Sequence, residues 1–358
     1  MKENYYNVIG VMSGTSLDGV DLAHIEFRIT TSGKWEFEIL ETETIPYENS
    51  WIQQLKEAVH YTPLQLASLN ENYTQLLAKI IVSFIEKHQL KNIDAVCSHG
   101  HTVQHQPQNQ YTLQIGNLPQ IATLTKQKVV CDFRVQDVLL GGQGAPLVPI
   151  GDRLLFSDYD YCINLGGFSN ISLESQGNRI AFDISAVNTV LNYYANQLGL
   201  NYDNKGEISK SGQLNKTLFE QLNTLPYYQQ SFPKSLGIEY VNETLLPILE
   251  SYPIPTADKM HTFTQHIAYQ TKKALPDLTK KILITGGGAY NTFLIDSLKL
   301  LLPESQIVIP NSKIIEFKEA LIFALLGVLR LRNEINCLKS VTGASKDHSS
   351  GTIFGQKS

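Results

Sequence analysis

The chain has 358 residues, a formal net charge of −5, 42% hydrophobic residues and 18% charged residues. These values are ordinary for a globular protein, and the length suggests two domains. The charged residues form no basic cluster, which argues against a nucleic-acid or anionic-membrane partner. Widely spaced cysteines without a C-x-x-C pair predict reduced thiols. The N-terminus lacks a signal-peptide pattern and no apolar run is long enough to span a membrane, so we expect a cytoplasmic protein.

The first part of the chain has the pattern of a three-stranded antiparallel meander. An apolar run from Ile9 breaks into the turn Ser13-Gly14-Thr15-Ser16 and resumes at Val20. Gly14 and Gly19 let a ligand approach the backbone closely, and the turn hydroxyls suit phosphate oxygens. The turn therefore predicts a phosphorylated ligand, although an ordinary hairpin has the same composition.

Strands and helices alternate after this meander, which predicts an α/β lobe. Apolar residues at helical spacing predict a helix over 64–88, and short apolar runs predict buried strands at 93–97 and 128–133. A Gly/Pro-rich stretch follows near residue 140 and indicates a domain boundary. We therefore expect an N-terminal lobe of residues 1–140 and a C-terminal lobe of residues 141–358.

The second lobe repeats the plan of the first. A strand ends in a Gly166-Gly167 turn, and two further strands follow, the last of which contains Asp183. No residue-level repeat is visible, yet a meander with a glycine-rich first turn occurs once in each half. This repetition predicts duplicated lobes that face each other across a cleft.

The remainder of the second lobe contains a polar stretch, helices and one more strand. Residues 201–237 are polar, and their composition predicts either an excursion over the cleft or a surface insertion. A helix is predicted at 256–275, and the strand that follows at 281–285 runs into Gly286-Gly287-Gly288. Two further helices are predicted at 291–301 and 315–331. The tail from Thr342 onward is predicted to fray.

Three glycine turns thus follow predicted strands, two of them in duplicated meanders. Those two could hold a nucleotide phosphate chain from either side, and the third would let an adenosine lie on the backbone. The G-x-x-x-x-G-K-[ST] loop and the protein-kinase signatures are absent. A nucleotide site must therefore be of another kind.

This order of turns resembles the superfamily of sugar kinases, actin and Hsp70-type chaperones. The resemblance implies an α/β fold of duplicated actin-like (ribonuclease H-like) lobes around a nucleotide cleft, with ATP as the cofactor. The residues expected to bind ATP are Gly14, Thr15, Ser16, Leu17, Asp18, Gly19, Val20, Asp21, Gly166, Gly167, Gly286, Gly287 and Gly288.

Further blocks, in order along nearly the whole chain, resemble the anhydro-N-acetylmuramic acid kinase family. They are Gly10 to Asp21, Ser98 to Val103, Gln114 to Gly116, Asp132 to Arg134, Gly141 to Pro149, and Asn164 to Gly167. The resemblance implies that ATP phosphorylates O6 of 1,6-anhydro-N-acetylmuramic acid while water opens the anhydro bridge. The product would be N-acetylmuramic acid 6-phosphate, within peptidoglycan recycling.

Asp183 matches the catalytic base of this family. Bridge opening requires a carboxylate that activates water at C1, as in an inverting glycosidase. A helix N-cap is the alternative role for Asp183. The family commonly reads Phe-Asp-Thr-Gly-Pro-x-Asn, whereas this chain has Phe182-Asp183-Ile184-Ser185-Ala186-Val187-Asn188. The lost turn predicts a change in substrate positioning or rate.

Other residues are expected to bind the sugar. Glu319 matches a family acid, and a carboxylate in an otherwise apolar helix is costly to bury unless it is paired, although a helix-surface position is the alternative. Arg134 could bind the lactyl carboxylate bidentately beside Asp132, or the two could form a structural ion pair. His99 is expected to form a hydrogen bond with sugar or phosphate.

His99, His101 and His105 could instead bind a metal ion. This interpretation is weaker than hydrogen bonding to the sugar or phosphate, because no cysteine or carboxylate completes a set of zinc ligands. ATP chemistry implies Mg²⁺, whose ligands are unknown. Asp18 and Asp21 are candidates, with Asp183 acting through water.

The expected partner is a small-molecule sugar, and the oligomeric state is open, with a homodimer as one alternative. Two other functions stay open. One is a kinase for a different sugar that leaves any ring closed, and the other is a nucleotide-binding interaction protein like actin or the chaperones.

Overall fold

The computed structural model describes residues 4–14 and 17–355. Its strands are β1 (Tyr5–Ser13), β2 (Gly19–Ile29), β3 (Trp35–Pro46), β4 (Ala95–Gln106), β5 (Tyr111–Ile115), β6 (Val129–Cys131), β7 (Tyr161–Leu165), β8 (Phe168–Ser175), β9 (Asn178–Ala186), β10 (Lys281–Thr285), β11 (Gln306–Val308) and β12 (Thr352–Phe354).

Its α-helices are α1 (Asn49–Glu57), α2 (Pro63–Lys87), α3 (Gln120–Thr125), α4 (Val135–Leu139), α5 (Pro149–Leu155), α6 (Asn188–Gln197), α7 (Glu207–Ser211), α8 (Lys216–Asn223), α9 (Ile238–Tyr240), α10 (Leu246–Glu250), α11 (Thr256–Ala274), α12 (Thr292–Leu301), α13 (Ser312–Leu331) and α14 (Lys339–Thr342). In the described part of the chain, no helix combines the length and the apolar character needed to cross a bilayer.

The strands form two sheets that share one plan. The first has the order β3-β2-β1-β4-β6-β12, with β5 paired to β4, and the second has the order β9-β8-β7-β10-β11. Each sheet contains an antiparallel meander whose first strand also pairs in parallel with a later strand, β1 with β4 and β7 with β10. The topology confirms the predicted duplication, and the fold is an α/β fold whose two sheets share one strand plan.

The described residues divide into two compact units. The first contains those up to Leu155 and those from Phe317 onward, and the second spans Phe156–Glu316. This division differs from the predicted boundary at 140/141, because α5 and the C-terminal segment belong to the first unit. Strand β12 pairs antiparallel with β6 and so joins the C-terminal residues to the first sheet.

The predicted fraying of the tail from Thr342 is wrong. Ile353 pairs with Val130 in the β12–β6 ladder, and Cys337 forms an isolated antiparallel bridge with His348. The edge of β6 supplies backbone partners that no local sequence pattern reveals.

Helix α2 follows from its local sequence. Thr62 and Gln65 form a capping box at its N-terminus, and Pro63 occupies the first helical turn, where its missing N–H costs nothing. Its apolar stripe, which includes Tyr73 and Leu77, is buried in the core of the first unit. The helix predicted over 64–88 is confirmed.

Helix α13 lies against the first sheet at two glycines. A Cβ on Gly10 of β1 would lie 2.0 Å from the carbonyl oxygen of Ala320, and a Cβ on Gly327 would lie 2.1 Å from Cys97 Sγ. Only glycine permits approaches this close. These contacts fix the position of the neighbouring Glu319 relative to β1.

We expect Gly10→Ala to lower the free energy of unfolding by about 1–3 kcal/mol, because the added methyl group collides with main chain. Denaturant unfolding would measure the loss. Gly287→Ala is the control, since its Cβ would meet only Asn188 Nδ2 at an ordinary 3.7 Å. A Gly10→Ala protein as stable as the control would contradict this account of the packing.

Candidate functional site

The first predicted phosphate turn joins β1 to β2. Thr15 and Ser16 lie outside the described residues. Leu17 has a left-handed φ of 63°, which is uncommon for a residue with a Cβ. Asp18 is exposed, and a Cβ on Gly19 would lie 2.3 Å from the carbonyl oxygen of Ile45. The described part of the turn thus combines a strained backbone position with a close contact to β3.

Val20 and Asp21 continue from this turn into β2. Val20 is buried, whereas Asp21 is half-buried and accepts a hydrogen bond from Thr44 Oγ1 at 2.6 Å. Asp21 pairs with Met12 across the β1–β2 ladder. Asp21 therefore lies at the end of the hairpin that carries the predicted turn.

Ser13 anchors the end of β1 in a buried hydrogen-bond network. Its Oγ lies 2.6 Å from Tyr47 Oη, 2.7 Å from Tyr73 Oη and 3.1 Å from His101 Nδ1. Burial lowers the pKa of His101 to about 4, so this ring is neutral near pH 7. The network ties the base of the predicted turn to α2 and β4.

His99 and Arg134 form a second polar cluster in the first unit. Arg134 Nε donates to His99 Nε2 at 2.8 Å, and Arg134 Nη1 donates to the carbonyl oxygen of Gly144 at 2.7 Å. Because Nε2 accepts, the proton of His99 sits on Nδ1, which donates to the carbonyl oxygen of Gly100 at 2.8 Å. Burial, together with the guanidinium charge, holds the pKa of His99 well below its usual value.

Both ring nitrogens of His99 are therefore engaged within the protein. The predicted hydrogen bond from His99 to sugar or phosphate would require one of these contacts to break. In this arrangement His99 orients Arg134. His105 is engaged elsewhere, with Nδ1 3.0 Å from Thr112 Oγ1.

Asp132 does not form the alternative ion pair with Arg134 among the described residues. It follows β6 with a left-handed φ of 64°, and burial raises the pKa of its carboxyl. Such backbone conformations cost about 1–3 kcal/mol for a non-glycine residue and cluster at functional sites. The geometry thus gives Asp132 a functional signal that its sequence position alone did not carry.

Glu319 is exposed on α13, while its neighbour Lys318 is buried in a 2.7 Å ion pair with Asp152. The Glu319 side chain reaches solvent, yet the surrounding protein partly desolvates its carboxyl, and this desolvation raises the pKa. The Arg134 guanidinium opposes this rise, and the Asp21 carboxylate adds to it. Glu319 therefore lies within electrostatic reach of both Arg134 and Asp21.

In the second unit, Asp183 lies within β9 and does not cap α6, whose N-cap residue is Val187. A β-bulge follows it, because Asn170 pairs with Asp183 and Ser169 with Ser185, which leaves Ile184 unpaired. Ile184 is 2% exposed and packs in the core. Ile184, the first of the three residues that depart from the family pattern, thus contributes to packing, while the bulge bends the strand beside Asp183.

Residues 227–236, called the strap below, hold Asp183 through three hydrogen bonds. Tyr227 Oη donates to the Asp183 carbonyl oxygen at 2.7 Å, and the Asp183 N–H donates to the Lys234 carbonyl oxygen at 3.1 Å. The Leu236 N–H donates to Asp183 Oδ2 at 2.8 Å. Burial raises the pKa of the Asp183 carboxyl, and the Leu236 hydrogen bond opposes that rise.

The strap belongs to the polar stretch 201–237, whose role the sequence left open. Positioning Asp183 is one part of that role. The sequence offered no signal for these contacts, because they join residues that are far apart in the chain.

The Gly166-Gly167 turn joins β7 to β8 and packs on the start of α6. The N–H groups of Val187 and Thr189 donate to the Gly167 carbonyl oxygen, and the Asn188 N–H donates to the Gly166 carbonyl oxygen. A Cβ on Gly167 would lie 2.8 Å from Thr189 Oγ1. The second predicted phosphate turn and the N-terminus of α6 therefore form one rigid piece.

The third glycine turn borders a cavity within the second unit. A Cβ on Gly286, which has a φ of 81°, would lie 2.6 Å from Asn164 Oδ1, and a Cβ on Gly288 would lie 2.7 Å from Leu165 Cβ. Gly287 has room for a Cβ and lines a cavity of about 450 Å³. The cavity is also lined by Asn188, Tyr202, Lys205, Tyr290 and Asn291. Its volume suits a nucleoside-sized ligand.

We expect Leu236→Pro to raise the pKa of Asp183, because proline removes the N–H that stabilises the charged carboxylate. A ¹³C NMR titration of the carboxyl group would measure the change. Leu236→Ala keeps the N–H and is expected to leave the pKa unchanged. An unchanged pKa in Leu236→Pro would show that the strap does not hold the carboxylate.

Comparison with known proteins assigns the family. Residues 6–356 match the family model described as anhydro-N-acetylmuramic acid kinase. The relative from Mannheimia succiniciproducens with that name is 35% identical over 99% of this chain and 100% of its own length, and the one from Pseudomonas fluorescens is 34% identical over 97% and 98%.

Among solved structures, the ADPNP-bound activator of the 2-hydroxyisocaproyl-CoA dehydratase from Clostridium difficile has a TM-score of 0.41 and 13% identity, over 90% of this chain and 94% of that chain. That similarity is too low to carry an argument about function. The match to the family model and the full-length relatives show that this chain belongs to the anhydro-N-acetylmuramic acid kinase family.

Proposed function

We propose that this enzyme uses ATP and water to convert 1,6-anhydro-N-acetylmuramic acid into N-acetylmuramic acid 6-phosphate. The reaction would return cell-wall sugar to metabolism in the cytoplasm. The observation that carries the proposal is Asp183, a carboxylate that the strap holds in a bulged strand and whose pKa burial raises. A general base becomes more effective as its pKa rises towards the working pH.

In the proposed reaction, Asp183 accepts a proton from the water that attacks C1. A bond forms between the water oxygen and C1, and the bond between C1 and O6 breaks. O6 then forms a bond with the γ-phosphorus, and ADP leaves with the electron pair of the broken phosphoanhydride bond. One carboxylate thus supports both the ring opening and the release of the phosphoryl acceptor.

Arg134 is proposed to bind the lactyl carboxylate of the sugar. His99 and the Gly144 carbonyl oxygen hold two edges of its guanidinium, which leaves other N–H donors for a ligand. A guanidinium fixed in this way loses little entropy when it binds a carboxylate bidentately. Asp132 and Glu319 are proposed to bind sugar hydroxyl groups.

The nucleotide is proposed to bind at the three glycine turns, with the residues from Gly14 to Asp21 and the Gly166-Gly167 turn on its phosphates. The adenosine would occupy the cavity beside Gly287, where Tyr202 and Tyr290 supply partly exposed aromatic rings.

Carboxylates of the first unit fit a Mg²⁺ ion. The Asp21 carboxylate lies within electrostatic reach of the Glu319 carboxyl, and Asp18 is exposed nearby in the chain. Carboxylate oxygens are the ligands that Mg²⁺ prefers. When bound with ATP, Mg²⁺ would neutralise charge on the β- and γ-phosphates.

We expect Asp183→Asn to lower kcat by about 10²–10⁴-fold, because an amide cannot accept the proton from water. Steady-state assays with ATP, Mg²⁺ and the anhydro sugar would measure the loss. Asp296→Asn, at an exposed position of α12, is the control and should retain wild-type turnover. Full turnover in Asp183→Asn would exclude Asp183 as the base.

Wild-type product made in ¹⁸O-labelled water is expected to carry the label at C1. Mass spectrometry of the 6-phosphate product would locate it. A phosphorylated product that carries no label would identify a sugar kinase that does not open the ring.

We expect Gly287→Leu to weaken ATP binding by tenfold or more, equivalent to about 1.4 kcal/mol, because the side chain would enter the proposed adenosine cavity. Calorimetric titration would measure the affinity, and thermal unfolding should show little change. Gly288→Ala is the contrasting variant, since its Cβ would collide with Leu165 and lower stability. Unchanged ATP affinity in Gly287→Leu would place the adenosine elsewhere.

A further inference from the structure

A buried cluster in the first unit takes no part in the proposed reaction. Asp137, Cys337 and His348 each offer one ligand atom, and these atoms lie within 4.8 Å of one another. The three residues are 0%, 2% and 5% exposed, respectively. A carboxylate and an imidazole in a core need partners, because a polar or charged group is costly to bury without them.

The backbone brings the cysteine and the histidine side by side. Cys337 and His348 form an isolated antiparallel bridge in which each N–H donates to the other's carbonyl oxygen at 3.1 Å. Side chains of directly opposed residues lie on the same face of such a pair. Asp137, from α4, completes the cluster, with Oδ1 3.0 Å from Cys337 Sγ.

The His348 ring is oriented as a ligand. Nδ1 lies 3.1 Å from the Lys346 carbonyl oxygen, which can only accept, so the proton sits on Nδ1. Nε2 then has a free lone pair, and it lies 3.6 Å from Asp137 Oδ1 without a hydrogen-bond partner among the described residues. A lone pair and a carboxylate oxygen that face each other in a core are stabilised by a cation between them.

Asp137 is also held as metal-bound carboxylates are. Thr342 Oγ1 donates to Oδ1 at 2.7 Å, and the Gly144 N–H donates to Oδ2 at 2.7 Å. Hydrogen bonds of this kind orient the ligands of metal sites and tune their affinity. The separations of 3.0 Å and 3.6 Å between ligand atoms are close to the ~3.3–3.7 Å expected between ligands of a tetrahedral zinc ion.

We propose that Asp137, Cys337 and His348 bind one Zn²⁺ ion. A thiolate, an imidazole and a carboxylate are a donor set that suits zinc, with a fourth position left for water. On binding, the Cys337 thiol loses its proton to solvent and the sulfur forms the bond to the metal.

The ion would have a structural role that reaches the proposed sugar site. It would tie the C-terminal segment to α4, and through Asp137 Oδ2 to Gly144. The Gly144 carbonyl oxygen accepts the hydrogen bond from Arg134. Zinc would therefore stiffen the loop that orients Arg134.

Cobalt substitution tests the proposal on the full-length protein. After chelator treatment, one equivalent of Co²⁺ is expected to give a thiolate-to-cobalt charge-transfer band that saturates at one ion per chain and that Zn²⁺ abolishes. Cys337→Ser should remove the band. Cys97→Ser should keep it, because Cys97 is equally buried but lies in β4 outside the cluster.

His348→Gln provides a second variant that keeps the thiol. Its affinity for Co²⁺ is expected to fall by about tenfold or more, since the loss of a ligand should cost at least as much as the loss of a supporting residue. Absence of a stoichiometric band in the wild-type protein would overturn the proposal. A band that persists in Cys337→Ser, or an unchanged affinity in His348→Gln, would do so as well.

Discussion

Close packing of α13 on the first sheet is the constraint on which the proposed sugar-binding residues depend. Gly10 and Gly327 allow the helix to approach β1 and β4 to a distance that any side chain would prevent. At that distance the Phe323 ring packs on His99 with 4.6 Å between ring centroids, and Glu319 interacts with Arg134. Two positions without a side chain thus set how closely α13, which carries Glu319, approaches the first sheet.

The proposed base in the second unit is held by different means. A bulge at Ile184 bends β9 immediately after Asp183, and the strap binds the backbone and the carboxylate of Asp183 from the other direction. A general base must accept a proton without changing position, and these contacts restrict its movement while burial raises its pKa. Ile184, where the chain departs from the family pattern, packs in the core, and the Asp183 carboxylate keeps its hydrogen bond to the strap.

Local sequence patterns predicted the elements that depend on local physics. The capping box at Thr62, the apolar stripe of α2 and the glycine turns of both meanders were readable, and the topology confirmed the duplication. Contacts between residues far apart in the chain could not be predicted from local patterns. Examples are the strap on Asp183, the pairing of β12 with β6, and the Cys337–His348 bridge. The family resemblance identified Asp183, Arg134 and Glu319 as candidates, but the hydrogen bonds that orient Arg134 became visible only in three dimensions.

The most direct test of the central claim is a crystal structure with the anhydro sugar and a non-hydrolysable ATP analogue. The measurement is the distance from the Asp183 carboxylate to the water nearest C1. We predict a water within hydrogen-bond reach of Asp183, about 2.6–3.2 Å, on the side of C1 opposite the bridge oxygen, with O6 facing the γ-phosphate. A sugar bound with a different carboxylate at C1, and Asp183 out of reach, would contradict the account.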